Sequence, residues 1–154
     1  PYLSGERSPH NDVNAKGAFV GLTATTTRAQ MSRAVMEGVA FAIRDCYEVA
    51  KANGLEITST NLCGGGARSG AWRQIFADAL GIPVYILTTE QGPSYGAAIL
   101  AMVGCGVYKD VAEATKQIVS VKQTILPDPQ NVARYREKYE FFTKLYPLLK
   151  TLSI

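Results

Sequence analysis

Cys63-Gly64-Gly65-Gly66-Ala67-Arg68-Ser69-Gly70 is the first run of residues here that could handle a ligand. Glycine lets a backbone approach a bound group closely. A helix starting just behind it points free N–H groups and a positive dipole end at that group. The same residues also suit a tight turn between strand and helix in which the glycines only relieve strain, and the run alone leaves both readings open. It is not a Walker A loop, because no Gly-Lys-Ser/Thr follows. It is not a dinucleotide fingerprint either, because Glu90 lies beyond the position where the acidic residue belongs, and after a second strand. A second run, Glu90-Gln91-Gly92-Pro93-Ser94-Tyr95-Gly96-Ala97-Ala98, puts small residues at the start of a helix. Small residues there admit another backbone or a flat ligand. Taken alone, Gly96, Ala97 and Ala98 are better explained by close helix–sheet packing.

Other reactive side chains are sparse. His10 is the sole histidine and lies among turn formers, which suits a hydrogen-bonded loop residue rather than a catalytic base. Glu6 and Arg7 beside it could pair with little energetic consequence. Glu37 falls between Met36 and Gly38 in a long helical stretch and is read as solvated. Cys46, Cys63 and Cys105 offer neither zinc spacing nor a disulfide framework, and none has a base partner to make it a nucleophile. With one histidine, no Ser-His-Asp set can be built.

The elements that must position these runs follow from punctuation and periodicity. Residues 1–16 are loop-like, and Gly17–Leu22 (GAFVGL) reads as a short strand. Thr27 and Gln30 form a capping box opening a helix to about Asn53, with Met31, Val35, Val39, Ile43, Cys46 and Val49 along one line and Gly54 as its stop. Leu55–Cys63 reads as a strand. Ser69 caps a helix whose face is Trp72, Ile75, Phe76, Ala79 and Leu80, and Gly81 ends it. Ile82–Thr88 is a further strand, Glu90–Ser94 a turn, and Tyr95 to about Val103 a buried helix. Asp110 and Glu113 resemble a second capping box, for a helix to about Ile118; Val119–Leu126 is extended. A final helix from about residue 130 to 154 carries Val132, Tyr135, Tyr139, Phe142, Tyr146 and Leu149 at alternating spacings of three and four, too few heptads for a coiled coil. It should pack on the domain's own core, and Pro147 should kink or end it. Strands alternating with helices argue for an α/β layered domain.

Composition bounds the rest. The chain has 154 residues, 47% of them hydrophobic and 19% charged, which suits one packed domain. A net charge of +3, from 16 Lys and Arg against 13 Asp and Glu, is too mild and too scattered to argue for nucleic acid. The longest uncharged run, Gln91–Tyr108, is interrupted by Gly92, Pro93, Gly96, Gly104 and Gly106 and does not read as a membrane span. No signal peptide is visible, and unpaired cysteines suit a reducing, cytoplasmic setting. The opening Pro-Tyr-Leu-Ser, without Met, reads as the interior of a longer protein.

Several stretches, in order, carry a resemblance. Pro1-Tyr-Leu-Ser-Gly-Glu-Arg-Ser-Pro-His10, Lys16–Leu22, Ala34-Val-Met-Glu-Gly-Val-Ala-Phe41, Gly64-Gly-Gly-Ala-Arg-Ser69, Trp72-Arg-Gln74, Ala77-Asp78, Gly92-Pro93 and Gly96-Ala-Ala98 resemble the C-terminal half of the FGGY carbohydrate kinases. The spacing of G-x-F-x-G-L before Gln30-Met31-x-x-Ala34-Val35-Met36-Glu37 resembles that family's second signature. The likeness spans residues 1 to about 105 and is nearest to the xylulose-phosphorylating branch.

The resemblance implies a ribonuclease-H-like domain of the actin-like ATPase superfamily, a mixed sheet with helices on both faces, its first strands lying upstream. It implies ATP with Mg2+, the magnesium held mainly by residues outside this chain, and phosphorylation of a ketose, D-xylulose to D-xylulose 5-phosphate. Gly64, Gly65, Gly66, Ala67 and Ser69 would form the adenosine-binding turn, with Gly92, Pro93 and Gly96 near by. The catalytic base and most of the sugar pocket are expected upstream, so Asp12, Asp45, Asp78 and Asp110 are not candidates for it. The partners implied are ATP, a small sugar and the N-terminal domain of the same protein, and the isolated chain is expected to self-associate and to be inactive. The alternative is a non-catalytic sugar- or nucleotide-binding regulator of the same superfamily.

Overall fold

A computed structural model describes residues 1–89 and 92–152. The expected turn at Glu90–Ser94 therefore falls partly outside the described residues.

The long first helix, α1 (Arg28–Ala52), begins where the capping box placed it: the Gln30 N–H donates to Thr27 Oγ1 at 3.2 Å and the Thr27 N–H to Gln30 Oε1 at 2.8 Å. Two of the helix's free N–H groups are thereby satisfied. Strand β1 (Thr60–Asn61) follows, then a 3₁₀ turn (Gly65–Arg68) and helix α2 (Gly70–Leu80). Ser69 Oγ accepts the Trp72 N–H at the start of α2, and Gly81, at φ +70°, supplies the left-handed residue that closes it. Strand β2 (Val84–Leu87), helices α3 (Gly92–Gly104) and α4 (Val111–Ile118), strand β3 (Val121–Ile125) and helix α5 (Pro129–Lys150) complete the chain.

The three strands form one mixed sheet in the order β1-β2-β3. β1 lies parallel to β2, with Thr60 opposite Val84; β2 lies antiparallel to β3, with Val84 opposite Ile125. A parallel pair needs a crossover, and α2 provides it. α1 and α5 pack on α2, which lies against β2 and β3. The core is Ala40, Phe41, Ile75, Phe76, Ala77, Ala79, Val84, Ile86 and Tyr135. Phe41 of α1 meets the rings of Tyr135, Tyr139 and Phe142 of α5 at 5.7, 5.9 and 5.4 Å. Arg44 donates to the Ala79 carbonyl of α2 at 2.9 Å while lying over the Tyr139 ring. The three-and-four stripe of α5 thus packs on the domain's own helices, as its spacing predicts.

Five expectations are corrected. Gly17–Leu22 is no strand; its Phe19, Val20 and Leu22 are exposed, and no described strand runs beside it to complete a ladder. The strand expected over Leu55–Cys63 shrinks to Thr60–Asn61, the two residues that reach β2. α3 is apolar but not buried: Ile99 alone is inside, and Leu100 is 61% exposed, because α3 packs mainly on α4. α5 starts near residue 130 as expected, on the Asp128 cap with Pro129 in its first turn, but it does not end at Pro147 and continues to Lys150. Pro147 lies in the last turns, where few hydrogen bonds remain to lose. Finally, Glu37 is buried rather than solvated. No helix among the described residues is long and apolar enough to cross a membrane.

Candidate functional site

Because β1 and β2 are parallel, their C-terminal ends lie at the same edge of the sheet, where α/β folds bind ligands. β1 runs into Cys63 and Gly64, and β2 runs toward α3. A Cβ placed on Gly92 would sit 3.6 Å from Cys63 Sγ, so the two glycine runs, separate in sequence, are neighbours in space. Gly64, Gly65, Gly66, Ala67 and Ser69 make one turn; Gly92 and Pro93 stand beside it as the first residues of α3, and Gly96 follows within that helix. Two helices, α2 and α3, begin at this edge and direct their partly positive ends toward it.

The glycines are there for different reasons. Gly64 has φ +85°, a conformation in which any other residue is strained. A Cβ on Gly66 would lie 2.8 Å from the Trp72 ring. Gly65 and Gly96 have neither cause: a Cβ on either meets nothing within 4 Å among the described residues. Among the described residues there is therefore room for a Cβ at both positions, which the helix–sheet packing explanation for Gly96 does not predict.

An apolar groove of about 560 Å³ extends from this turn along α1, with Val39, Leu62, Cys63, Gly66 and Trp72 among its walls. A larger concavity of about 650 Å³ lies elsewhere, between residues 12–18 and the end of α5. Its Asp12 and Lys150 already face each other at 3.7 Å, and neither strand ends nor helix N-termini converge on it. The glycine edge is the better site on those grounds.

The aspartates at 12, 45, 78 and 110, and Glu37, all have structural duties. Asp78, 2% exposed, accepts from Gln74 Nε2, from the Asp128 N–H and from Asn131 Nδ2, and so ties α2 to the start of α5. Asp45 accepts the Tyr139 hydroxyl at 2.6 Å and that of Tyr2 at 3.3 Å; burial pushes its carboxyl upward. Asp12 accepts the Tyr146 hydroxyl, and Asp110 caps α4 through the Glu113 N–H at 2.8 Å. Burial also pushes Glu37 upward, but hydrogen bonds from Lys138, Arg33 and Tyr135 outweigh it and hold the carboxyl below the ordinary glutamate range. His10 is the hydrogen-bonded loop residue its surroundings predict, with Nε2 3.3 Å from the Tyr2 hydroxyl and the ring stacked on Tyr146. Among the described residues no three His, Cys, Asp or Glu side chains gather to hold a metal ion.

Sequence reasoning missed two residues behind the turn. Trp72 was legible as part of an apolar helix face, and both Trp72 and Arg73 as part of the resembling stretch Trp72-Arg-Gln74, but neither was read as a support for the turn. Trp72 Nε1 donates to the Met36 carbonyl of α1 at 3.1 Å, and Arg73 Nε donates to the Ala67 carbonyl within the turn.

The chain aligns with known proteins over nearly its whole length. It is 43% identical to the xylulose kinase of Escherichia coli K12 across 99% of its own residues, which cover 31% of that protein. It superposes with a TM-score of 0.87 and 38% identity on a crystal structure of a xyloylose kinase from Brucella ovis, covering 98% of this chain and 31% of that one. Its TM-score is 0.85 against gluconate kinase from Lactobacillus acidophilus, at 31% identity, with 97% and 30% covered. The chain thus spans about a third of the length of these relatives. The fold is the α/β one of these kinases, the ribonuclease-H-like fold of the actin-like ATPase superfamily. Residues 1–105 match the C-terminal domain of the FGGY family of carbohydrate kinases, and to that family the chain belongs.

Proposed function

We propose that this chain is the nucleotide-side portion of an ATP-dependent carbohydrate kinase converting D-xylulose to D-xylulose 5-phosphate. The observation that carries the nucleotide side is the paired glycine edge: two runs from separate segments meet at the ends of two parallel strands, and a Cβ on Gly65 or Gly96 there would meet no described residue within 4 Å. In this reading Gly64, Gly65, Gly66, Ala67 and Ser69 form the floor under the nucleoside, and Gly92, Pro93 and Gly96 flank it. The sugar assignment is supported by relatives named xylulose kinase at 35–43% identity.

The γ-phosphoryl group passes from ATP to a sugar hydroxyl, ADP leaves, and a base accepts the hydroxyl proton. Such transfer depends on positioning and on charge neutralisation between both halves of the enzyme. Asp12, Asp45, Asp78 and Asp110 are each engaged away from the turn, so the base is assigned to the upstream half. Among the described residues no side chains gather to form a metal site; Mg2+ would travel with the phosphates and be held by that other half. The upstream half would also extend the sheet along the edge of β1 that faces away from β2. In its absence, exposed Phe19, Val20 and Leu22 favour self-association of the isolated chain, readable by light scattering across a tenfold dilution. Three unpaired cysteines suit a cytoplasmic site of action.

The test is ADP release by the full-length protein with D-xylulose, D-ribulose, D-gluconate and glycerol in parallel. D-xylulose should give the highest kcat/KM, and residues 1–154 alone should give no turnover. Preference for another of the four overturns the sugar assignment. ATP and sugar binding without ADP release would identify a regulator.

A further inference from the structure

The structure assigns Trp72 as a positioning residue that sets the height of the Gly64–Ser69 turn under the nucleotide. The assignment rests on the reading of that turn as a nucleotide floor.

Trp72 lies in the first turn of α2, directly behind the glycines. Its backbone N–H donates to Ser69 Oγ, the last residue of the turn. Its indole Nε1 donates to the Met36 carbonyl on α1, and its ring stacks on Phe76 with centroids 5.8 Å apart. The ring is thus fixed by two groups, one of them on a different helix. Its far edge presses on Gly66, where a Cβ would come within 2.8 and 2.9 Å of two ring carbons. Gly66 is therefore glycine because of the tryptophan, whereas a Cβ on Gly65, one residue away, meets no described residue within 4 Å. On the other flank Arg73 Nε donates to the Ala67 carbonyl while its Nη1 donates to Gln123 Oε1 of β3 at 2.9 Å. Consecutive residues of α2 thus hold the turn from α1 on one side and from β3 on the other. A 3₁₀ turn of four residues has little stiffness of its own. Its level relative to the strand ends is set by what stands beneath it. Misplacement of about 1 Å in a positioning element is enough to cost substantial binding or rate.

The test uses the full-length kinase and separate KM values for ATP and sugar. Trp72→Phe keeps an aromatic ring but removes the bond to Met36 and the outer ring edge beside Gly66, and should raise KM for ATP at least about fivefold, the worth of the hydrogen bond alone, with KM for sugar within about twofold. Gly66→Ala should raise KM for ATP more, and that increase should vanish in a Trp72→Leu background, where the clash is gone. Additive effects of Gly66→Ala and Trp72→Leu would overturn the proposal. So would a fall in Tm for Trp72→Phe with both KM values unmoved, which is the signature of a core residue only. Should Trp72→Leu fail to fold, the Phe variant decides alone. Gly65→Val separates the proposal from its premise. If it leaves KM for ATP unchanged, the nucleotide floor lies elsewhere and the assignment falls with it. If it raises KM for ATP while Trp72→Phe does not, the floor stands and Trp72 does not set it.

Discussion

Helices α1 and α3 are opposites. α1 has a mixed sequence and buries two carboxylates, Glu37 and Asp45, each supplied with partners from α5 or the N-terminal loop. α3 is almost wholly apolar or small, yet only Ile99 is inside and Leu100 faces solvent. Hydrophobicity did not decide which helix was buried; the presence of an opposing element did. α1 lies against α2 and α5, whereas α3 meets chiefly α4. A helix gains from burial only the area that a neighbour covers.

The contrast can be broken first at the ring cluster. Phe41→Ala should cost about 4 kcal/mol in urea unfolding of the 154-residue chain, because Tyr135, Tyr139 and Phe142 all lose their common partner. A loss near 1 kcal/mol would mean that the α1–α5 contact is loose. Asp78→Ala should cost about 3 kcal/mol, since it strands the Asp128 N–H and Asn131 at the start of α5. Circular dichroism should show that loss as fraying of α5.

The two carboxylates of α1 sharpen the comparison through pH, with smaller and opposite effects. Glu37 is held below its ordinary range, so its stabilisation is complete above about pH 4.3 and is lost as pH falls through its lower folded value. Glu37→Gln should therefore flatten the acid limb of the stability curve. Asp45 is pushed above its ordinary range by burial, so its charge costs stability at neutral pH, and the chain recovers that as pH falls through the raised value. Asp45→Asn should gain it at pH 7, where the wild type does not. Identical pH profiles for the two variants would contradict these assignments. The smallest effect belongs to α3: Leu100→Ala should change the stability of this chain by less than about 0.5 kcal/mol.

What was legible in the sequence was local. Thr27 with Gln30, Ser69, Asp110 and Gly81 announced helix ends because a cap is made within three or four residues. At α4 even this reading needed adjustment, for Glu113 reaches back to the Lys109 N–H and not to that of Asp110. Gly17–Leu22 and Leu55–Ile57 have strand-like side chains, but a strand exists only where a partner offers its ladder. Glu37 looked solvated because Tyr135 and Lys138 are about a hundred positions away. The glycine runs were visible as candidates, but their meeting depends on the parallel pairing of β1 and β2, and Gly66's dependence on Trp72 depends on a ring orientation. Neither is written in spacing.

The Glu37 joint also has a meaning in time. Its partners Tyr135 and Lys138 lie 98 and 101 residues further along the chain. A ribosome adding about 5–20 residues per second needs roughly 5–20 s to travel that far. Throughout that interval α1 has been made and Arg33 of the same helix can pair with Glu37, but the Tyr135 hydroxyl and the Lys138 ammonium are still missing, so that face of the helix must stay wet. Closure of the layer awaits α5, and the nascent chain is open to chaperones until its last helix arrives.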